Sequence, residues 1–156
     1  MTGTPTRLQV PLHPALLALL ALATGLFGRW LVPGSLGLGT LGSQIAGGTC
    51  FLLAVVIGGW AFHALHAAGT PPDFGEEVVA LAVVGPYRWS RNPLYVALSL
   101  TLAGTACLLD SVAVALAVPA LVVALDRMVI QREERFLAQR FGSVYVAYAG
   151  AVRRWL

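Results

Sequence analysis

The sequence predicts an all-α fold. It is read as an integral membrane helical bundle of about four transmembrane helices, with a C-terminal helical hairpin and a cytosolic amphipathic C-terminal helix. Three observations carry this expectation. Hydrophobic residues make up 58% of the chain and charged residues 11%, with a mean hydropathy of +0.79, whereas a soluble domain carries about a quarter charged residues. Apolar runs recur at lengths near the roughly 20 residues that a bilayer core requires. With four crossings, nine of the ten arginines fall on one side of the membrane.

The first span runs from about Leu12 to Val32, with Trp30 as an interfacial anchor. It is taken as a span rather than a cleaved signal, because no small-residue cleavage site stands out and "ALATGLFG" is only the nearest approach to one. "PGSLGLGTLGS", Pro33 to Ser43, is a turn-rich connection; it lacks the lysine and preceding strand of a phosphate-binding loop. The second span covers about Leu41 to Leu65, where Gly47, Gly48, Gly58 and Gly59 would allow close helix approach. A polar stretch from His66 to Asn92 follows.

The third span, about Pro93 to Leu109, and the fourth, about Ser111 to Ile130, are separated only by Asp110 and Ser111. They are expected to form a tight hairpin, each near the lower limit of length for a crossing. Beyond them "QREERFLAQRFGSVYVAYAGAVRRWL" carries much of the charge, while Leu137, Phe141, Val144, Tyr145 and Tyr148 recur at helical spacing. This predicts an amphipathic helix broken near Gly142, with Glu133 and Glu134 flanking its apolar face and Arg132 and Arg135 turned away.

Arginine placement sets orientation. Arg7, Arg88, Arg91, Arg127, Arg132, Arg135, Arg140, Arg153 and Arg154 lie on one side and Arg29 on the other, so both termini and the Gly85–Asn92 loop are expected in the cytoplasm, at a bacterial inner (cell) membrane. Residues 1–156 are read as one membrane domain, with two N-terminal spans in 1–68 and the chemistry in 69–156. The net charge of +3 gives no reason to invoke nucleic acid. No feature of the sequence specifies an oligomer. Cys50 and Cys107, far apart in sequence and both in apolar runs, are expected as reduced thiols, and they make no metal framework.

The polar interruption "GPYRWSRNPLYV", Gly85 to Val96, has two readings. In one, Asn92 caps the third span, Pro93 takes its first position, and Tyr87, Trp89 and Tyr95 form an aromatic belt. In the other it is half of a site. A tight hairpin brings the start of the third span beside the end of the fourth, placing Tyr87, Arg91, Asn92 and Tyr95 near Glu133 and Glu134 at one membrane interface. Cations, carboxylates and aromatic rings gathered there suit a water-soluble cofactor and an amphiphilic substrate.

These residues, Gly85, Tyr87, Arg91, Asn92, Pro93 and Tyr95 and then Glu133, Glu134, Leu137, Phe141, Gly142, Tyr145 and Tyr148, closely resemble the signature of the isoprenylcysteine carboxyl methyltransferase family. Related small bacterial and phospholipid methyltransferases share the pattern, and "GTPP" at Gly69 to Pro72 is similar to the bacterial branch. The resemblance spans about Gly69 to Tyr148 and implies a membrane methyltransferase using S-adenosyl-L-methionine. It carries cofactor contacts onto Val79, Ala80, Leu81, Ala82, Tyr87, Asn92, Pro93, Leu94, Tyr95 and Glu133, and catalytic roles onto Arg91, Asn92 and Glu134. No metal is implied.

The chemistry of that cofactor is compatible with this set. Tyr87 and Tyr95 can lie against the sulfonium or adenine, and Glu133 can accept from the ammonium or ribose. Arg88 or Arg91 can pair with the cofactor's carboxylate or hold Glu134 in place. In-line methyl transfer chiefly needs alignment and exclusion of water, and Glu134 is the candidate base if the acceptor is an amine or phenol. Asn92 stands where the family often has histidine, Val129 where prenylcysteine-specific members have a basic residue, and Val152-Arg153 where the family has Val-Pro. These differences leave the cofactor residues in place and leave the acceptor open between prenylcysteine and a different lipophilic small-molecule or lipid-linked substrate, met among membrane lipids.

Two alternatives are an NADPH-binding reductase resembling the membrane sterol reductases and a non-enzymatic helical scaffold. Minor features have plain readings. His63 and His66 are interfacial polar residues more readily than metal ligands, Glu76 and Glu77 are solvated, Asp110 is the hairpin turn, and Asp126 with Arg127 is a local pair or a snorkelling terminus.

Overall fold

The structure is a computed structural model and describes residues 12–69 and 80–156. Helix α1, Pro14–Gly28, starts where the sequence offers Pro14 at its first position and His13 as cap, the His13 Nδ1 accepting from the Ala15 amide at 3.3 Å. Its expected continuation to Val32 is a set of turns, in which the Leu31 and Val32 amides return to the Gly28 carbonyl. Helix α2, Gly39–Ala67, is 29 residues long and apolar enough to cross a membrane.

Helix α3, Pro93–Leu108, is apolar and 16 residues long. Helix α4, Val112–Leu125, begins at Ser111, whose Oγ accepts from the Val114 amide at 3.5 Å. The hairpin between them turns on Asp110, held at φ 45°, a left-handed conformation unusual outside glycine. Its carboxylate accepts from the Leu36 amide at 3.0 Å and from the Ser35 hydroxyl. The Val112 amide also reaches the Gly34 carbonyl at 3.1 Å. The two connecting loops therefore meet at one end of the bundle, as an up-and-down arrangement of spans requires.

The fourth span does not end where its apolar run ends. A π-helical turn, Asp126–Ile130, joins α4 to α5, Gln131–Phe141, so that one 30-residue helix runs from Val112 to Phe141. Gly142, at φ 55°, then breaks the chain as expected, and α6 follows over Ser143–Ala151. The amphipathic pattern holds in outline, but Phe136 rather than Leu137 is the buried residue of α5.

Helix α2 packs on α3, α1 on α4, and α3 on α4. A Cβ added at Gly47 would meet Leu108 Cγ at 2.5 Å, and one at Gly104 would meet the Phe51 ring at 3.0 Å and Cys50 Cβ at 3.1 Å. At Gly25 it would meet the Val114 Cα at 3.0 Å. These are close approaches of helix axes that only small residues permit. Gly58 also faces a neighbour, Ala97, but Gly48 and Gly59 face open space, so half of the glycines expected at an interface are not in one. Cys50 and Cys107, remote in sequence, lie on the packed helices α2 and α3, both as free thiols.

Val114, Leu121, Leu125, Val129 and Ile130 form the centre of the packed core. Outside it the apolar surface is extensive: Leu19, Phe27, Leu41, Leu52 and Val55 are all more than 60% exposed. Apolar exposure on that scale suits lipid rather than water, and with two helices of spanning length and two shorter apolar ones the protein is an all-α membrane bundle.

Candidate active site

The segment that feeds α3 is shaped by its neighbours on α2. Gly85 sits at φ 60°, and a Cβ there would lie 2.8 Å from Trp60 Nε1, so both backbone and space exclude other residues. It opens a short 3-10 turn, Gly85–Arg88, in which Pro86 and Tyr87 are buried. Ala82 and Tyr87 pack with Ala61 and Ala64 of α2. Trp89 meets Trp60 edge-on at a centroid distance of 5.5 Å.

Asn92 occupies the cap position of α3 with Pro93 after it, as expected, but its side chain caps nothing. The Nδ2 donates instead to the Arg154 carbonyl at 2.9 Å. The Asn92 amide is held by Ser90 Oγ at 3.1 Å, and the Asn92 carbonyl receives the Tyr95 and Val96 amides at 3.0 and 3.1 Å.

The hairpin brings the acidic helix to this segment. Tyr95 Oη donates to Glu133 Oε1 at 2.9 Å, Arg91 Nη2 lies 3.3 Å from Glu134 Oε1, and Tyr148 Oη of α6 donates to the Tyr87 carbonyl at 2.7 Å. Three sequence regions, 85–95, 131–134 and 145–148, are thus tied into one cluster. Arg91 supplies the cation beside Glu134, while Arg88 is exposed. Arg132 and Arg135 are exposed too, as expected.

The electrostatics favour neutral tyrosines around the carboxylates. Burial first, then the Glu133 and Tyr148 charges, holds the Tyr87 hydroxyl well above its ordinary value. Tyr148 is pushed up to about 12 by burial and then Tyr145, with Arg91 pulling the other way. Such hydroxyls donate hydrogen bonds at neutral pH and do not ionise.

Of the residues expected to contact a cofactor, Ala82, Tyr87, Asn92, Pro93 and Tyr95 are buried, and Ala80, Leu81, Leu94 and Glu133 are partly buried in the same region. Val79 lies outside the described residues. Among the described residues, the one buried side-chain polar atom without a hydrogen-bond partner is Arg91 Nε. An orphaned donor of this kind is costly unless an acceptor meets it, and an anionic oxygen such as a cofactor carboxylate fits it.

Sequence reasoning missed Arg154. Its Nε and Nη2 donate to both oxygens of Glu134, at 3.0 and 2.6 Å, and its Nη1 to Asp126 Oδ1 at 3.2 Å. Asp126 also accepts from Gln131 Nε2 at 2.9 Å, so its partners are Arg154 and Gln131 rather than Arg127, which is exposed. The sequence offers only "VRRWL", whose arginines count there toward orientation. His63 and His66 are exposed, His66 stacking on Phe62, and among the described residues no group of three or more metal-binding side chains forms.

The phospholipid methyltransferase family profile matches residues 43–144, well over half of the chain, from early α2 into the start of α6. It takes in α2, which the resemblance from Gly69 onward left out. No curated protein and no solved structure matches the chain.

Proposed function

We propose that this chain, which belongs to the phospholipid methyltransferase family, transfers a methyl group from S-adenosyl-L-methionine to a lipophilic or amphiphilic acceptor at the membrane interface. The observation that carries this reading is the joining of the Gly85–Tyr95 segment to the acidic helix through Tyr95–Glu133 and Arg91–Glu134, around an Arg91 Nε that lacks an acceptor.

In this reading S-adenosyl-L-methionine supplies a methyl carbon already activated by a positive sulfur. The chain's task is to bind, align and exclude water. Tyr87 and Tyr95 offer ring faces to the cation, Glu133 accepts hydrogen bonds from the ammonium or ribose, and Arg91 Nε meets the carboxylate. Ala80–Ala82 and Asn92–Leu94 would contribute further contacts to the cofactor. Glu134, in ion pairs with Arg91 and Arg154, serves to hold Arg91 rather than to take a proton, which suits an acceptor that is already a good nucleophile. The site is read as facing the cytoplasm, a reading that the arginine bias supports.

Calorimetry with S-adenosyl-L-methionine on detergent-purified protein tests the reading, with NADPH as the comparison ligand. Binding of the first and not the second, weakened by Tyr87→Ala and Glu133→Ala, is expected. A well-folded sample that binds neither, or variants that bind like the wild type, would sink it.

A further inference from the structure

Residues 153 and 154 fasten both halves of the site at once, through main chain and side chain together. Arg153 makes a parallel bridge with Ser90, its carbonyl receiving the Arg91 amide at 2.9 Å. The Arg154 carbonyl receives Asn92 Nδ2 at 2.9 Å and Ser90 Oγ at 3.3 Å. The Arg154 guanidinium then crosses to the other half, forked on Glu134 and touching Asp126 in the π-turn. A planar guanidinium matches a carboxylate with two parallel bonds, so it fixes direction as well as distance. Hydrogen bonding to Glu134 raises the Arg154 pKa further above its already high value, which keeps the clasp charged.

The partners of this one residue are all site elements. Asn92 starts α3, Glu134 holds Arg91, and Asp126 sits where the helical phase shifts. The packed core of α1, α3 and α4 is built from other side chains. The carbonyl bonds to Ser90 and Asn92 survive a side-chain substitution, but without the guanidinium the 153–154 segment loses its anchor on Glu134 and Asp126. The Ser90–Asn92 peptide it carries is then held less firmly, and Arg91 and Glu134 can reorient while the bundle stays packed.

We propose that Arg154 is a positioning residue of the cofactor site, a clasp whose carbonyl fixes Asn92 and whose guanidinium fixes Glu134 and Asp126, setting the separation of the two halves. Its effect on binding rests on the S-adenosyl-L-methionine reading above; the fastening itself does not.

The test compares wild type, Arg154→Gln and Arg154→Lys as full-length protein in detergent. Without cofactor, amide hydrogen exchange in residues 89–95 should quicken about tenfold or more in Arg154→Gln while α1 and α2 keep wild-type protection. The dissociation constant for S-adenosyl-L-methionine should rise about tenfold, the equivalent of losing one charge-assisted bond. Arg154→Lys, which keeps the charge and loses the fork, should fall between, and it carries the same comparison if the glutamine variant does not fold. Unchanged exchange in residues 89–95, or exchange rising equally in every helix, overturns the clasp. Quickened local exchange with unchanged affinity overturns the positioning role. Wild-type protein that binds no S-adenosyl-L-methionine removes the functional reading and the positioning role together, and the exchange data still decide the fastening.

Discussion

Tyr95→Phe removes one oxygen atom from the centre of the site and leaves the ring in place. The ring is 6% exposed and its hydroxyl donates to Glu133 at 2.9 Å, so the packing contribution is nearly unchanged and the lost term is one hydrogen bond to a carboxylate. Bonds to charged groups are worth about 1.5–3 kcal/mol. Glu133→Leu removes the other partner and leaves the tyrosine hydroxyl buried without an acceptor, a penalty of about 1–3 kcal/mol. In the double variant the two apolar groups face each other and neither penalty persists, so the coupling energy should come out at about 1.5–3 kcal/mol. The assay is unfolding of the four proteins in mixed micelles with increasing denaturing detergent, followed by circular dichroism. The same four samples, titrated with S-adenosyl-L-methionine, should show weaker binding for each single variant. A coupling energy below about 0.5 kcal/mol, the range of independent sites, would refute the bond and with it the argument that the hairpin aligns the two halves.

Further expectations follow from the same geometry. Gly104→Ala forces a methyl group against Phe51 and Cys50 and should destabilise the bundle by about 1–3 kcal/mol, whereas Gly48→Ala, with open space around it, should be neutral or slightly stabilising; thermal melts of the two in one detergent separate them. Gly85→Ala strains a left-handed backbone and collides with Trp60, and it should shift the tryptophan emission and cost about 1–3 kcal/mol. Tyrosine titration followed near 295 nm has a definite sign. Tyr148 is neutral in the fold up to about 12, so its contribution to stability is complete below the ordinary tyrosine value of about 10 and is lost as pH rises from there through about 12. Tyr87 is shifted in the same direction. Its tyrosinate signal should therefore appear together with loss of helix, and a signal that rises near pH 10 in an intact fold would contradict the burial.

Much of this was legible in the sequence because the determinants are local or periodic. The spans follow from apolar runs, the start of α3 from Asn92-Pro93, the break at Gly142 from the glycine itself, and the meeting of Tyr95 with Glu133 from a hairpin with almost no loop. What was not legible depends on pairs far apart in the chain. Asp110 was expected as a bare turn, yet its carboxylate holds Ser35 and Leu36, more than seventy residues away. Arg154 was one of many surface arginines until the fold carried Glu134 and Asp126 to it. The π-turn leaves no mark in composition, and it is Phe136 that is buried in the helix after it. Gly47 and Gly48 look alike in sequence, and only the direction of each Cα toward or away from α3 tells them apart.

The shortness of α3 has a consequence for how an acceptor arrives. Sixteen residues rise about 24 Å even with the helix upright, several ångströms less than the ~30 Å of a bilayer's hydrocarbon interior. If the Asp110 turn is seated at one surface, the Asn92 end falls short of the other, a mismatch that thinning of the bilayer, snorkelling of flanking residues or oligomerisation would relieve. The proposed cofactor contacts on Asn92 to Tyr95 would then lie at the depth of glycerol and headgroup atoms. Under the proposed function, a lipid or lipid-linked acceptor would reach them by sliding sideways in its own leaflet, while a water-soluble methyl donor would descend from the aqueous side.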